Sequence, residues 1–193
     1  MSRRMRARRL WIIACAAVLA VGLTACGHKE AHPTLADANN NGGYIDAGPV
    51  TYQLEISRPL NPYSAEDSQY VKGLPSGTTA PSADEFWYGV FLWAKNQTHH
   101  DQTTIDNFEI VDTQGFAYYP IKVDPNVNAF AWTSQTIAPN QIQPGPSTVA
   151  SDGPTQGGLL LFKLNNDAFS NRPLTLYLLG ADNQRLGSIS LNL

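Results

Sequence analysis

Along most of this chain, apolar residues recur at every second position in short runs separated by turn residues, which is the signature of half-buried strands. Val50, Tyr52, Leu54 and Ile56 form the first such run, and Arg58-Pro59-Leu60-Asn61-Pro62 breaks it. Ser64, with acids at Glu66 and Asp67, predicts a capped helix of about two turns over 65–72, closed by Gly73. Residues 86–94, Phe-Trp-Tyr-Gly-Val-Phe-Leu-Trp-Ala, are apolar at both parities and predict a central strand covered on two sides. Strands are also predicted over 105–112 and 116–123 about an Asp112-Thr-Gln-Gly115 hairpin turn, at 130–132, and over 158–164 and 173–179. In the last strand, 186–193, Ile189, Leu191 and Leu193 face one way while Ser188, Ser190 and Asn192 face the other. Residues 139–158, rich in Pro and Gly, read as the longest unstructured connection. About seven short strands and one modest helix predict an all-β, immunoglobulin-like antiparallel β-sandwich, not an α/β plan.

The start of the chain has a different grammar. Arg3, Arg4, Arg6, Arg8 and Arg9 precede an apolar run from Leu10 to Leu23, too short for the roughly 20 residues that cross a bilayer. A cleaved export signal over 1–25 is therefore expected. Gly27 to Pro49 is polar, small and almost free of large apolar residues, so 26–48 reads as a flexible tether before a domain over 49–193. Asp37-x-Asn39-x-Asn41-Gly42 copies the opening of a calcium loop, but Gly48 stands where the closing glutamate belongs.

Composition narrows the chemistry. Of the two cysteines, Cys15 lies inside the leader, leaving Cys26 alone in the exported chain and no internal disulfide. Without the five leader arginines, eight basic residues face sixteen acidic ones. Such a surface repels phosphates and anionic headgroups, which argues against nucleic-acid binding and against charge-driven adhesion to lipid.

Leu23-Thr24-Ala25-Cys26 matches the lipobox shared by bacterial lipoproteins, in which small residues fit the peptidase and the cysteine thiol takes up a diacylglycerol. The resemblance makes Cys26 the first mature residue and a stable two-chain anchor, with Sec export as the expected route. In the domain, Tyr52-x-Leu54, Asn61-Pro62-Tyr63 to Asp67, Trp87-Tyr88-Gly89-Val90-Phe91, Asp112-Thr113-x-Gly115, Pro144-Gly145, Leu159 to Phe162 and Asn171-Arg172-Pro173-Leu174 resemble secreted actinobacterial lipoproteins with an immunoglobulin-like domain of unknown function. That resemblance carries no catalytic or ligand residue with it.

No catalytic set stands out. His99-His100-Asp101 is the densest group of metal-capable side chains, but neighbours on a strand point to opposite faces, and an exposed hairpin tip explains it. There is no Gly-x-Ser-x-Gly elbow, and Glu66-Asp67 and Asp84-Glu85 are sequence neighbours of the kind that begin helices or line loops. Asn96-Gln97-Thr98 is a sequon read as an unmodified turn. Aromatic residues are the remaining lead: those of 86–93 are expected in the core, while Tyr118, Tyr119 and Trp132 flank turns and are expected outside, as a partner patch. The expected protein needs no cofactor and is a non-enzymatic, lipid-anchored binding or assembly module for an envelope partner at the outer face of the cell membrane. The rivals are a small-ligand or metal carrier and an accessory of a cell-wall hydrolase.

Overall fold

The structure, a computed structural model, describes the backbone of residues 36–39 and the whole of 43–191 and 193. The leader and the lipobox Leu23-Thr24-Ala25-Cys26 lie outside the described residues.

Two sheets face each other. In the first, β1 (Ala36–Asn39), β12 (Arg185–Leu191), β11 (Leu174–Leu179), β6 (Asn107–Val111) and β7 (Ala117–Tyr118) lie side by side in that order. The second runs β10 (Gly158–Asn165), β4 (Glu85–Asn96), β3 (Val50–Leu60), β2 (Tyr44–Ala47), with β9 (Ile142–Gln143) also pairing β4. A small ribbon of β5 (Gln102–Thr103) and β8 (Thr136–Ile137) stands apart. All these pairings are antiparallel except β1 with β12. The all-β sandwich expected from the alternation is present. Its main core lies between the sheets, with Tyr52, Leu54, Tyr88, Val90 and Leu92 packed in one cluster with Phe108, Ile110, Leu176, Leu178 and Ile189.

The doubly apolar run is the central strand it was expected to be. Even positions of β4 enter the main core, while Trp87 and Phe91 enter a second one on the outer face, roofed by Tyr70, Phe130 and Ala150 from the connections. A bulge between Leu54 and Ile56 reverses the alternation of β3. Ile56 therefore joins the outer core rather than sharing a face with Val50, Tyr52 and Leu54 as the sequence suggested. The same strand runs through Pro59 to Leu60, because β2 pairs it only as far as Gln53 and, among the described residues, the rest has no neighbour on that side.

Other expected boundaries change as well, and the strand expected at 130–132 reduces to a bridge at Ala131. The stretch read as tether holds β1 and β2, since backbone pairing needs few apolar side chains and Ile45 and Ala47 supply an alternating buried face. The calcium-loop look-alike accordingly begins as extended strand. The helix expected over 65–72 is a single 3₁₀ turn, Asp67–Gln69, although Ser64 Oγ does accept from the Asp67 amide at 3.0 Å. The expected strand over 116–123 shrinks to β7 and a bridge at Ile121. Within the long Pro/Gly connection a one-turn helix, α1 (Val149–Asp152), forms on a reciprocal Thr148–Ser151 capping box.

The sequon asparagine turns out to be a structural clamp. Asn96 is fully buried; its Nδ2 donates to the carbonyls of His100 at 2.8 Å and Ile137 at 2.9 Å, and its Oδ1 accepts from the amide and hydroxyl of Thr98. With both amide hydrogens committed, it is a poor acceptor for any modification. Asn96→Ala is expected to cost about 2–3 kcal/mol, since buried polar groups lose their partners. A thermal melt within a degree of the unsubstituted protein would count against this clamp.

Candidate functional site

Among the described residues, the outer face of the second sheet is covered only in part. The outer core roofs the β4 half that carries Trp87 and Phe91, and the other half carries Trp93 and Lys95 at the same parity. Register then determines what stands beside them. Tyr44 pairs with Gln53 and Gln53 with Trp93, so these three form one row across β2, β3 and β4. Asp46, Thr51, Lys95 and Ile142 form the next row, reaching β9. Same-face neighbours on adjacent strands lie about 4.5–5.5 Å apart, close enough to make a continuous floor. Tyr44, Thr51, Gln53, Trp93, Lys95, Gln97 and Ile142 line an open groove of about 290 Å³.

Part of this floor is braced. Thr51 Oγ1 donates to Asp46 Oδ1 at 2.7 Å and accepts from Gln97 Nε2 at 3.1 Å. The rest is not engaged: among the described residues, no protein group bonds the side chains of Gln53, Lys95 or Tyr44, or the indole N–H of Trp93. Tyr44 is 68% exposed, and Trp93 and Gln53 are partly so. The contrast with the core is clear, where Trp132 Nε1 donates to the Ile105 carbonyl at 2.8 Å and Tyr52 Oη accepts from the Ile105 amide at 2.7 Å. Two aromatic faces flanking an amide, beside a lone amine, suit a ligand with an apolar flat face and hydrogen-bonding edges.

The patch proposed from sequence is not formed. Trp132 and Tyr118 are buried, at 5% and 7% exposure, and only Tyr119 stands outside. Tyr118 ends β7 and donates to Asn165 Oδ1 at 2.7 Å, while Tyr119, just past the strand, is left in solvent. Burial pushes the Tyr118 hydroxyl above its ordinary pKa, with Asp112 and Asp167 adding to it. Trp132 turns inward because its backbone is strapped to β10 through the Leu159 carbonyl.

His99 and His100 sit exposed at the β4–β5 connection, and no cluster of three or more metal-capable side chains exists among the described residues. Three of the four paired carboxylates have structural partners, and Asp84 is exposed. Glu66 and Asp67 meet the Arg58 guanidinium at 3.0 and 2.7 Å, and Glu85 accepts from Ser82 and pairs with Lys163 at 3.4 Å. Burial raises Asp67, but hydrogen bonds from Arg58 and the Asn61 amide and the guanidinium charge outweigh it and hold the group below the usual carboxylate range.

The groove escaped sequence reading because its members are scattered. Tyr44 lay in the presumed tether, Trp93 in a run assigned to the core and Ile142 in the presumed loop. The one available signal was the change from Phe91 to Lys95 at a single parity of β4, which marks where the outer cover ends.

No family model matches the chain, and no curated protein matches it in sequence. Among solved structures, the chain is similar to the yjhA protein of Bacillus subtilis, with a TM-score of 0.52 and 12% identity over 80% of this chain and 99% of that one. An uncharacterised β-sandwich protein of Clostridium difficile 630 aligns at a TM-score of 0.42 and 9% identity, covering 85% and 100% of the two chains. The candidate lipoprotein ycdA of Bacillus subtilis aligns at 0.45 and 10%, covering 78% of this chain and 38% of that one. At these identities the first likeness is one of fold, and the fold it shares with this chain is a β-sandwich.

Proposed function

We propose that this chain is a lipid-anchored extracytoplasmic lipoprotein whose sandwich acts as a non-enzymatic binding module for an envelope partner. The anchor rests on the arginine-rich leader and the Leu23-Thr24-Ala25-Cys26 box, and on the resemblance to secreted actinobacterial lipoproteins. The observation that carries the binding role is the groove on the open half of the second sheet, where Tyr44, Gln53, Trp93 and Lys95 present side chains that bond nothing in the protein's described residues. An acidic exported chain needs an acyl anchor to stay at an anionic surface, because its own charge opposes contact.

Two experiments read the two halves. Cys26→Ser is expected to move the protein from the membrane fraction to the medium or to leave uncleaved precursor, with loss of the acyl mass from the N-terminal peptide. A photocrosslinking residue at position 44 in the anchored protein is expected to yield a discrete adduct that the same residue at Tyr177, on the opposite sheet, does not. Membrane retention of cleaved Cys26→Ser protein sinks the anchor, and identical adducts from both positions sink the groove.

A further inference from the structure

We infer that the groove is built for a glycan, a chain of at least two N-acetylated hexosamine units lying across β2, β3 and β4. This deepens the binding-module reading and rests on it. Tyr44 and Trp93 stand on the strands either side of β3, both in register with Gln53. At about 4.8 Å between strands their attachment points are roughly 10 Å apart, further than one pyranose ring spans, so both rings are engaged only by an oligomer.

The side chains between and beside the rings select the chemistry. Aromatic faces take the C–H face of a sugar ring, burying apolar area without demanding a hydrogen bond from it. Gln53 lies between them with both its amide hydrogens and its carbonyl uncommitted among the described residues, a match for an acetamide, which also offers one N–H and one C=O. Gln97 spends Nε2 on Thr51 Oγ1 and keeps its Oε1 to accept from a hydroxyl or amide. Lys95, exposed and without an ion pair among the described residues, supplies donors for ring oxygens or for a carboxylate carried on the sugar. A long apolar peptide would leave these polar groups unpaired, and an anionic lipid surface would meet a single cation in an acidic protein.

The test is calorimetric titration of the full-length acylated protein in detergent micelles with tetra-N-acetylchitotetraose, cellotetraose and N-acetylglucosamine. The acetylated tetramer is expected to bind with a Kd below about 1 mM. Cellotetraose is expected to bind at least about tenfold more weakly, as site amides left unpaired penalise the wrong sugar, and so is the monosaccharide, which carries the acetamide but reaches only one of the two rings. Trp93→Ala and Gln53→Ala are each expected to weaken the tetramer by about tenfold or more, while Tyr177→Ala leaves it unchanged. Trp93 is partly exposed, so its variant is expected to melt like the unsubstituted protein, and Gln53→Ala gives an independent reading if it does not. Absence of binding by the acetylated tetramer, equal binding of cellotetraose, or full binding by both variants overturns the inference. If the tetramer fails while position 44 still gives its discrete adduct, the glycan assignment falls and the binding module stands; if both fail, both fall.

Discussion

Arg58→Met is expected to destabilise the domain by about 2–4 kcal/mol and to make it less sensitive to acid, because removing one member of a largely buried ion pair strands the other. Asp67 is the member left behind. Its side chain is 9% exposed, and it accepts from Arg58 Nη2 at 2.7 Å and from the Asn61 amide at 2.8 Å. Arg58 keeps about a quarter of its surface in water, which places the expected loss below that of a fully buried pair. It also lies 6.0 Å from the centre of the Tyr70 ring, whose flanks pack edge-on against Phe91 and Phe130, so the ion pair borders the outer core.

The sign of the pH dependence follows from the depressed carboxyl. A group held below its unfolded value contributes stability above that value, near 4, and loses it as pH falls through the folded value. The gap in unfolding free energy between the unsubstituted protein and Arg58→Met should therefore be widest near pH 6–7. It should narrow steadily below about pH 4.5, as the stranded Asp67 of the variant, lacking its cation, takes up a proton first. Asp67→Asn in the Arg58→Met background is expected to recover part of the loss at neutral pH. Denaturant melts from pH 7 to pH 3 check this, and a gap that stays constant across that range would rule out the ion pair as its source.

The same pair shows where sequence reasoning stops. Ser64, Glu66 and Asp67 were legible as a helix start because capping chemistry is local; their partner Arg58 was legible only as part of a strand-breaking Pro segment. What joins them is the reversal of β3 at the bulge, which turns Arg58 onto the outer face beside the 3₁₀ turn, and no local pattern encodes it. The central strand, the Asp112 turn and the apolar face of the last strand were readable for the opposite reason, since each records its environment in its own residues, whereas Ser188, on the side expected to face water, is buried. Asp112 closes its turn by accepting from the amides of Gln114 and Phe116. The groove is the extreme case of a non-local feature. It exists only once three strands are in register, and one of them lies in a segment whose composition alone argued for a tether.

Trp132→Ala is expected to cost about 3–5 kcal/mol, the loss typical of a large buried aromatic, and to leave the proposed partner capture at the groove intact in protein that remains folded. The ring sits 6.0 Å from Phe108 and 6.2 Å from Tyr52, while its N–H holds the Ile105 carbonyl. It thus ties the 130s segment to the link between β5 and β6 as well as filling the main core. Gly158 makes the arrangement testable, because a methyl group there would lie 2.7 Å from Trp132 Cε3. Gly158→Ala is expected to destabilise the unsubstituted protein by about 1–3 kcal/mol through overpacking. In the Trp132→Ala background the space is open, so most of that penalty should vanish, a non-additivity that contact in the folded state requires. Were Trp132 instead part of an exposed adhesive patch, its loss would spare the melting temperature, reduce capture, and leave the two substitutions additive. Strict additivity in the double-mutant cycle is therefore the result that would move Trp132 out of the core.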